Sequence, residues 1–127
     1  MKGVWQFQDL VAWQLAFQLK QFADSICVRP AVRRDFKFHA QLSDAAASGP
    51  RNIAEGFGRY FHPEFARFAR FAKASELEVL NHFIDGHSKG YLTAAELDRG
   101  DHAVKKALKA VNGLIRHLDS TPDFGRE

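Results

Sequence analysis

The sequence predicts an all-α domain, an antiparallel up-down-up-down four-helix bundle that oligomerises. Three observations carry this expectation. Apolar residues recur at helical spacing along almost all of the 127 residues. Proline and glycine punctuation cuts the chain into four stretches of similar length. No stretch alternates apolar and polar residues as a half-buried strand would. Four such helices joined by short loops satisfy their backbone groups internally and bury their apolar stripes on one another.

The first helix is expected from about Phe7 to Cys27. It carries two stripes, one of Leu10, Trp13 and Phe17 and one of Leu15, Leu19, Phe22 and Ile26, wider than the one face a monomeric bundle needs. Pro30 and the basic run Arg29, Arg33 and Arg34 mark a loop. The second helix spans about Asp35 to Gly56, with Phe38, Leu42, Ala45, Gly49 and Ile53 on one line and a kink expected at Pro50. Gly56 and Gly58 close it, and Pro63 opens the third helix, about Pro63 to Asp85. That helix again has two stripes, Phe65, Phe68, Ala72 and Val79 beside Leu77, Leu80 and Ile84. Gly86 and Gly90 bound its terminal loop. Thr93 and Glu96 are spaced as a capping box, and Leu97, Val104, Leu108, Val111, Ile115 and Leu118 then run along a fourth helix that Gly100 is expected to interrupt. One domain covers residues 1–127, with its core at about 7–118 and a fraying tail at 119–127. The spare stripes on the first and third helices either thicken this core or face sister subunits.

With 46% hydrophobic and 26% charged residues and a mean hydropathy of −0.32, the chain reads as soluble. No run approaches the ~18 apolar residues of a membrane span, and residues 1–9 lack an apolar signal core. A single cysteine, Cys27, makes an internal disulfide impossible and fits a reducing compartment, so a cytoplasmic location is expected. The net charge of +3 is too mild to select a partner by itself.

Chemistry has few footholds. The six histidines fall in no ligating pattern, with neither His-Glu-x-x-His nor Glu-x-x-His present, so no metal and no cofactor is expected. Gly56-Phe57-Gly58-Arg59 lacks both a preceding strand and a following Gly-Lys-Ser/Thr, and reads as a helix stop. Neither Cys27 nor Ser48 stands in a nucleophile motif. Gln41, Ser48, Asn52 and Glu55 share a stripe of the second helix, and Ser75 and Glu78 neighbour each other on the third. Buried polar groups need partners, so these six are expected to form a structural hydrogen-bond network, with acid–base work by Glu55 and Glu78 as the sharper alternative. No enzyme activity is expected.

The basic residues are segregated. Between His102 and Leu118 the fourth helix has Lys105, Lys106, Lys109 and Arg116 and no acidic residue, while Arg67 and Arg70 neighbour each other on the third. Repeated in an oligomer, such faces would hold phosphates by counterion release. Candidate nucleic-acid contacts are therefore Arg51, Arg59, Arg67, Arg70, Lys105, Lys106, Lys109 and Arg116, with RNA or DNA as partner. The alternative is a protein–protein scaffold whose basic face is incidental.

Ser48-Gly49-Pro50-Arg51-Asn52-Ile53-Ala54-Glu55-Gly56 resembles the Ser-Ile-Pro-x-Asn-Ile-Ala-Glu-Gly signature of the 23S rRNA intervening-sequence family of four-helix bundle proteins. Leu10 to Gln14, Gln41-Leu42 with Ala45-Ala46, Glu64 to Phe68, Ala72 to Ser75 with Glu78, and Gly90-Tyr91-Leu92 agree in order, so the resemblance covers about residues 7–118. Departures are Gly49 for Ile or Val, Asp44 for a basic residue, Ala74 for glycine, and a loop at 29–35 without the usual Phe and Glu. The resemblance implies an antiparallel bundle without recognised catalysis that assembles as a homopentamer. It also implies kinship with accessory subunits of diversity-generating retroelements, whose basic barrel binds nucleic acid and a reverse transcriptase.

Overall fold

In the computed structural model, which describes residues 3–59 and 61–121, all regular structure among the described residues is helical. A 3-10 turn at Phe7–Asp9 leads into α1 (Val11–Cys27). Then follow α2 (Pro30–Arg34), α3 (Phe36–Gly58), α4 (His62–Ser88) and α5 (Ala94–Ser120). The four long helices match the four expected stretches. α1 packs on α3 and α5, and α4 packs on the same two helices, so α1 and α4 face each other diagonally across the bundle.

Local chemistry sets the starts. The Asp35 carboxylate accepts a hydrogen bond from the Phe38 amide at 3.2 Å and caps α3. Thr93 and Glu96 form the expected capping box on α5, with the Glu96 amide donating to Thr93 Oγ1 at 3.1 Å and the Thr93 amide donating to Glu96 Oε1 at 2.8 Å. The basic run after Pro30 is a short helix, not a loop: proline occupies its first turn, where no amide is needed, and Val32 is fully buried beneath it.

Glycine is where expectation and structure part. Gly56, Gly86 and Gly100 do not end or interrupt helices; each lies within one. A Cβ at Gly86 would come within 2.7 Å of Phe38 Cζ, at Gly100 within 2.6 Å of Phe83 Cδ2, and at Gly56 within 2.7 Å of Phe65 Cδ1. They are seats for aromatic rings, and the helices run on past them. α4 ends instead at Gly90, whose φ of +83° is left-handed. The amide of Gly90 donates to His87 O and that of Tyr91 to Gly86 O, which is the Schellman pairing. α3 continues as one helix on both sides of Pro50.

α5 continues through Asp119 and Ser120, inside the stretch expected to fray. The Arg70 guanidinium donates to Asp119 at 2.5 Å, and His62 Nδ1 lies 3.2 Å from the Thr121 carbonyl. The rest of the expected tail, from 122 on, lies outside the described residues.

The buried side chains form two apolar clusters. One holds Leu19, Ile26, Val32, Phe38, Leu42, Val79, Phe83 and Val104; the other holds Leu10, Ile53, Phe65, Val111, Leu114, Ile115 and Leu118, with Ala12, Ala16, Ala66, Ala69 and Ala72. The boundary falls between Ala16 and Leu19 on α1, between Ala46 and Ile53 on α3, and between Ala72 and Val79 on α4. The stripes of α1 are largely used in this core. On α4, Leu77 and Ile84 remain 47% and 54% exposed.

Gly49 differs from the other helical glycines, since a Cβ there meets nothing nearer than 3.7 Å. Gly49→Ala is expected to stabilise the fold by about 1 kcal/mol through helix propensity. Gly86→Ala and Gly100→Ala are expected to cost about 1–3 kcal/mol by overpacking. Urea unfolding of the three variants checks both signs.

Candidate functional site

Six polar side chains were expected to answer one another or Arg59; three answer one another, and Glu55 meets Arg59 one turn along its own helix. Asn52 Nδ2 donates to Ser48 Oγ at 2.9 Å and to Ser48 O at 2.8 Å, and the Ser48 and Ser75 hydroxyls are 2.7 Å apart. Ser75 donates its single proton to the Phe71 carbonyl at 3.0 Å, so Ser48 is the donor in the Ser48–Ser75 bond. The protons thus run one way, Asn52 to Ser48 to Ser75 to backbone, along the half-buried α3–α4 seam. Gln41, Glu55 and Glu78 stand apart from this relay. Glu55 is exposed and lies 3.4 Å from Arg59, and Glu78 is exposed and lies 3.3 Å from His82. The two carboxylates proposed for acid–base work therefore have separate partners.

The eight cations also separate. Lys105 Nζ pairs with Asp101 at 2.9 Å, Arg70 with Asp119, and Arg59 lies between Glu55 and Glu64 while stacking over the Phe68 ring at 4.9 Å. The acid-free stretch of α5 is flanked by acids one turn away, which neutralise part of it. Arg67 covers the Phe71 ring at 5.3 Å on α4, and Arg51 is exposed on α3. Lys106, Lys109 and Arg116 remain, and they come together. They line an open groove of about 450 Å³ between α1 and α5, whose apolar lining is Val11, Leu15 and Ala110 with Gly113. Among the described residues none of the three has an ion-pair partner.

Among the described residues no group of three His, Cys, Asp or Glu stands ready to hold a metal ion. Burial pushes the Cys27 thiol up to about 11, with Asp24 adding to the shift, so it stays protonated at neutral pH.

Two features were missed in the sequence. At one end of the bundle Arg29 reaches across to α5, donating to the Tyr91 carbonyl at 2.8 Å and to Glu96 Oε1 at 2.9 Å, with a second contact to Glu96 Oε2. The Arg29 bond, helped by the Thr93 amide, holds the Glu96 carboxyl down at about 2. Nothing local to either residue signals this pairing across 67 positions. The second is Glu76, only 1% exposed, with neither carboxyl oxygen hydrogen-bonded. Burial pushes it up to about 8. Its signal was present: Glu76 lies four residues after Ala72 and three before Val79, on the core line of α4.

The nine-residue stretch from Ser48 to Gly56 is now explained by contacts. Ser48 and Asn52 supply the seam relay, Ile53 is fully buried, and Gly56 seats the Phe65 and Phe68 side chains. The chain matches the 23S rRNA-intervening sequence protein family over residues 8–113. It belongs to that family. No curated protein matches the chain. In this 23S rRNA-intervening sequence protein, then, the signature residues are chiefly packing residues of α3, with Arg51 exposed among them, while Lys106, Lys109 and Arg116 lie across the bundle on α5.

Ser48→Ala is expected to lower stability by about 1–2 kcal/mol, because it removes one hydrogen-bond partner from both Asn52 and Ser75. Gln41→Ala, outside the relay, is expected to stay within about 0.5 kcal/mol. Equal effects in chemical denaturation would contradict the separation of the six residues.

Proposed function

We propose that the protein is a non-enzymatic, homo-oligomeric binding module of the cytoplasm that holds nucleic acid in the α1–α5 groove. The observation that carries this reading is the convergence of Lys106, Lys109 and Arg116, none paired with an acid among the described residues, around one groove. Three cations with an apolar floor suit a phosphate backbone and the sugar edges beside it, with no base-reading motif required. The other five candidate cations are secondary, since three are paired with carboxylates and two lie on α3 and α4.

The up-down-up-down topology is part of the same reading. Arg70 with Asp119, His62 with Thr121, and Phe83 against Gly100 pair the start of α4 with the end of α5 and the reverse, as antiparallel neighbours require. Self-association is supported by the outward stripe of α4. Leu77 and Ile84 are half exposed, and Leu80, Ile84, Ala94 and Leu97 line a shallow groove between α4 and α5. A patch of this kind marks an association site, and it leaves the cationic groove uncovered. A homopentamer, as the family resemblance implies, would place five such grooves on one particle and multiply their field.

Fluorescence anisotropy with labelled structured RNA and duplex DNA tests the binding reading. Three phosphate contacts predict a log–log salt slope of about −3 per engaged subunit on duplex, or about a 40-fold loss between 50 and 200 mM salt. Lys106→Glu with Lys109→Glu should abolish binding, whereas Arg51→Glu should change it by less than about threefold. Unchanged affinity in the double variant would overturn the assignment, and capture of one protein partner after nuclease treatment would favour the scaffold alternative. Light scattering tests the other half: Leu77→Asp with Ile84→Asp is expected to reduce the particle to monomers, and a monomeric parent would refute self-association.

A further inference from the structure

A carboxylic acid in the middle of an apolar bundle needs a reason. Glu76 sits on α4 where the two apolar clusters meet, between Ala72 in one and Val79 in the other. Across from it is Gly49 on α3, with no side chain. A Cβ built there would lie 3.7 Å from Glu76 Cγ, 3.8 Å from Glu76 Oε2 and 3.7 Å from Ala16 Cβ on α1. The Gly49 position is thus a methyl-sized space on α3 beside the carboxyl, bounded by Ala16 of α1 and by the Glu76 side chain of α4.

Among the described residues neither carboxyl oxygen has a hydrogen-bond partner. On α1, Lys20 and Asp24 pair with each other at 2.8 Å. On α3, Asp44 and Arg51 are exposed, and on α5, His102, Lys105, Lys106 and Lys109 are exposed. On α4 itself, Lys73 is half-buried one turn before Glu76, and Glu78 is paired with His82. Burial alone acts on Glu76, against its ionised form.

We propose that Glu76 is a proton-controlled pin at the waist of the bundle. Protonated, it is a tolerated core side chain that joins the two apolar halves; on giving its proton to solvent, it draws water into the space at Gly49 and uncouples them. The raised folded-state value fixes the sign. Below the unfolded-state value of about 4.5 the group is protonated in both states and has no effect. Between there and about 8 only the unfolded chain ionises, so stability falls as pH rises, and above that range the loss is complete.

The test compares the parent with Glu76→Gln and Glu76→Leu by urea unfolding from pH 5 to 8.5, alongside carboxyl-carbon NMR of labelled glutamate. The parent's unfolding equilibrium constant should rise by up to about tenfold per pH unit relative to Glu76→Gln, which keeps the shape without the proton. The difference between the two cancels histidine titrations common to both. Glu76→Leu should also be more stable than the parent at pH 8.5, and it guards against a Gln variant that folds poorly. At high pH the protection of backbone amides against hydrogen exchange, corrected for the intrinsic rate, should fall first around Ala16, Gly49 and Glu76 in the parent, and not in Glu76→Leu. Parallel pH profiles in parent and both variants, a Glu76 carboxyl titrating in the ordinary range, or exchange spread evenly over the chain would each overturn the proposal.

Discussion

The structure depends on phenylalanine rings lying against glycine backbones. Phe38 of α3 rests on Gly86 of α4, Phe83 of α4 on Gly100 of α5, and Phe65 of α4 on Gly56 of α3. Each contact leaves no room for a Cβ, so each fixes both the distance between two helices and their register along the axis. A slide of one helix by a turn would put a ring against a side chain. With the seats at the two ends of α4, the bundle is held at both ends while its middle is filled by alanine, Gly49 and the polar relay. The rings also carry much of the burial: Phe65 and Phe83 are among the largest side chains with no exposure.

That arrangement decides which chemical groups are available. Aligning α4 and α5 brings Arg70 to Asp119, and seating α5 on α1 opens the groove that Lys106, Lys109 and Arg116 line. Along α5, Glu96, Asp98 and Asp101 lie near the start, and Lys106, Lys109 and Arg116 follow from its middle onward. Glu96 in the first turn complements the helix dipole there. The proposed binding face combines three cations of α5 with the apolar floor that Val11 and Leu15 of α1 provide.

Much of this was legible beforehand. The four long helices, the Thr93–Glu96 box and the core line of α5 follow from period and capping, which are local properties of the chain. The glycines were misread because a glycine that ends a helix and one that seats a ring look alike in sequence; only the partner ring, 9 to 48 residues away, distinguishes them. The same holds for charge. The stretch between His102 and Leu118 reads as acid-free, yet Lys105 is taken by Asp101, just outside that window. Three of the six polar residues met because Ser48 and Ser75 share a seam, whereas Glu55 and Glu78 point outward, a distinction of about one helical position. Glu76 was the oversight with a visible cue, a carboxylate on an apolar line.

The central claim is that nucleic acid lies along α1 and α5 and not along the signature-bearing seam of α3 and α4. Ultraviolet crosslinking of bound RNA at low salt, with the crosslinked peptides identified by mass spectrometry, tests it most directly. Crosslinks concentrated between Lys106 and Arg116 and at Val11 to Leu15 are the predicted result. Crosslinks centred on Arg51, Asn52 or Phe71, or none above a charge-matched control protein, would contradict it.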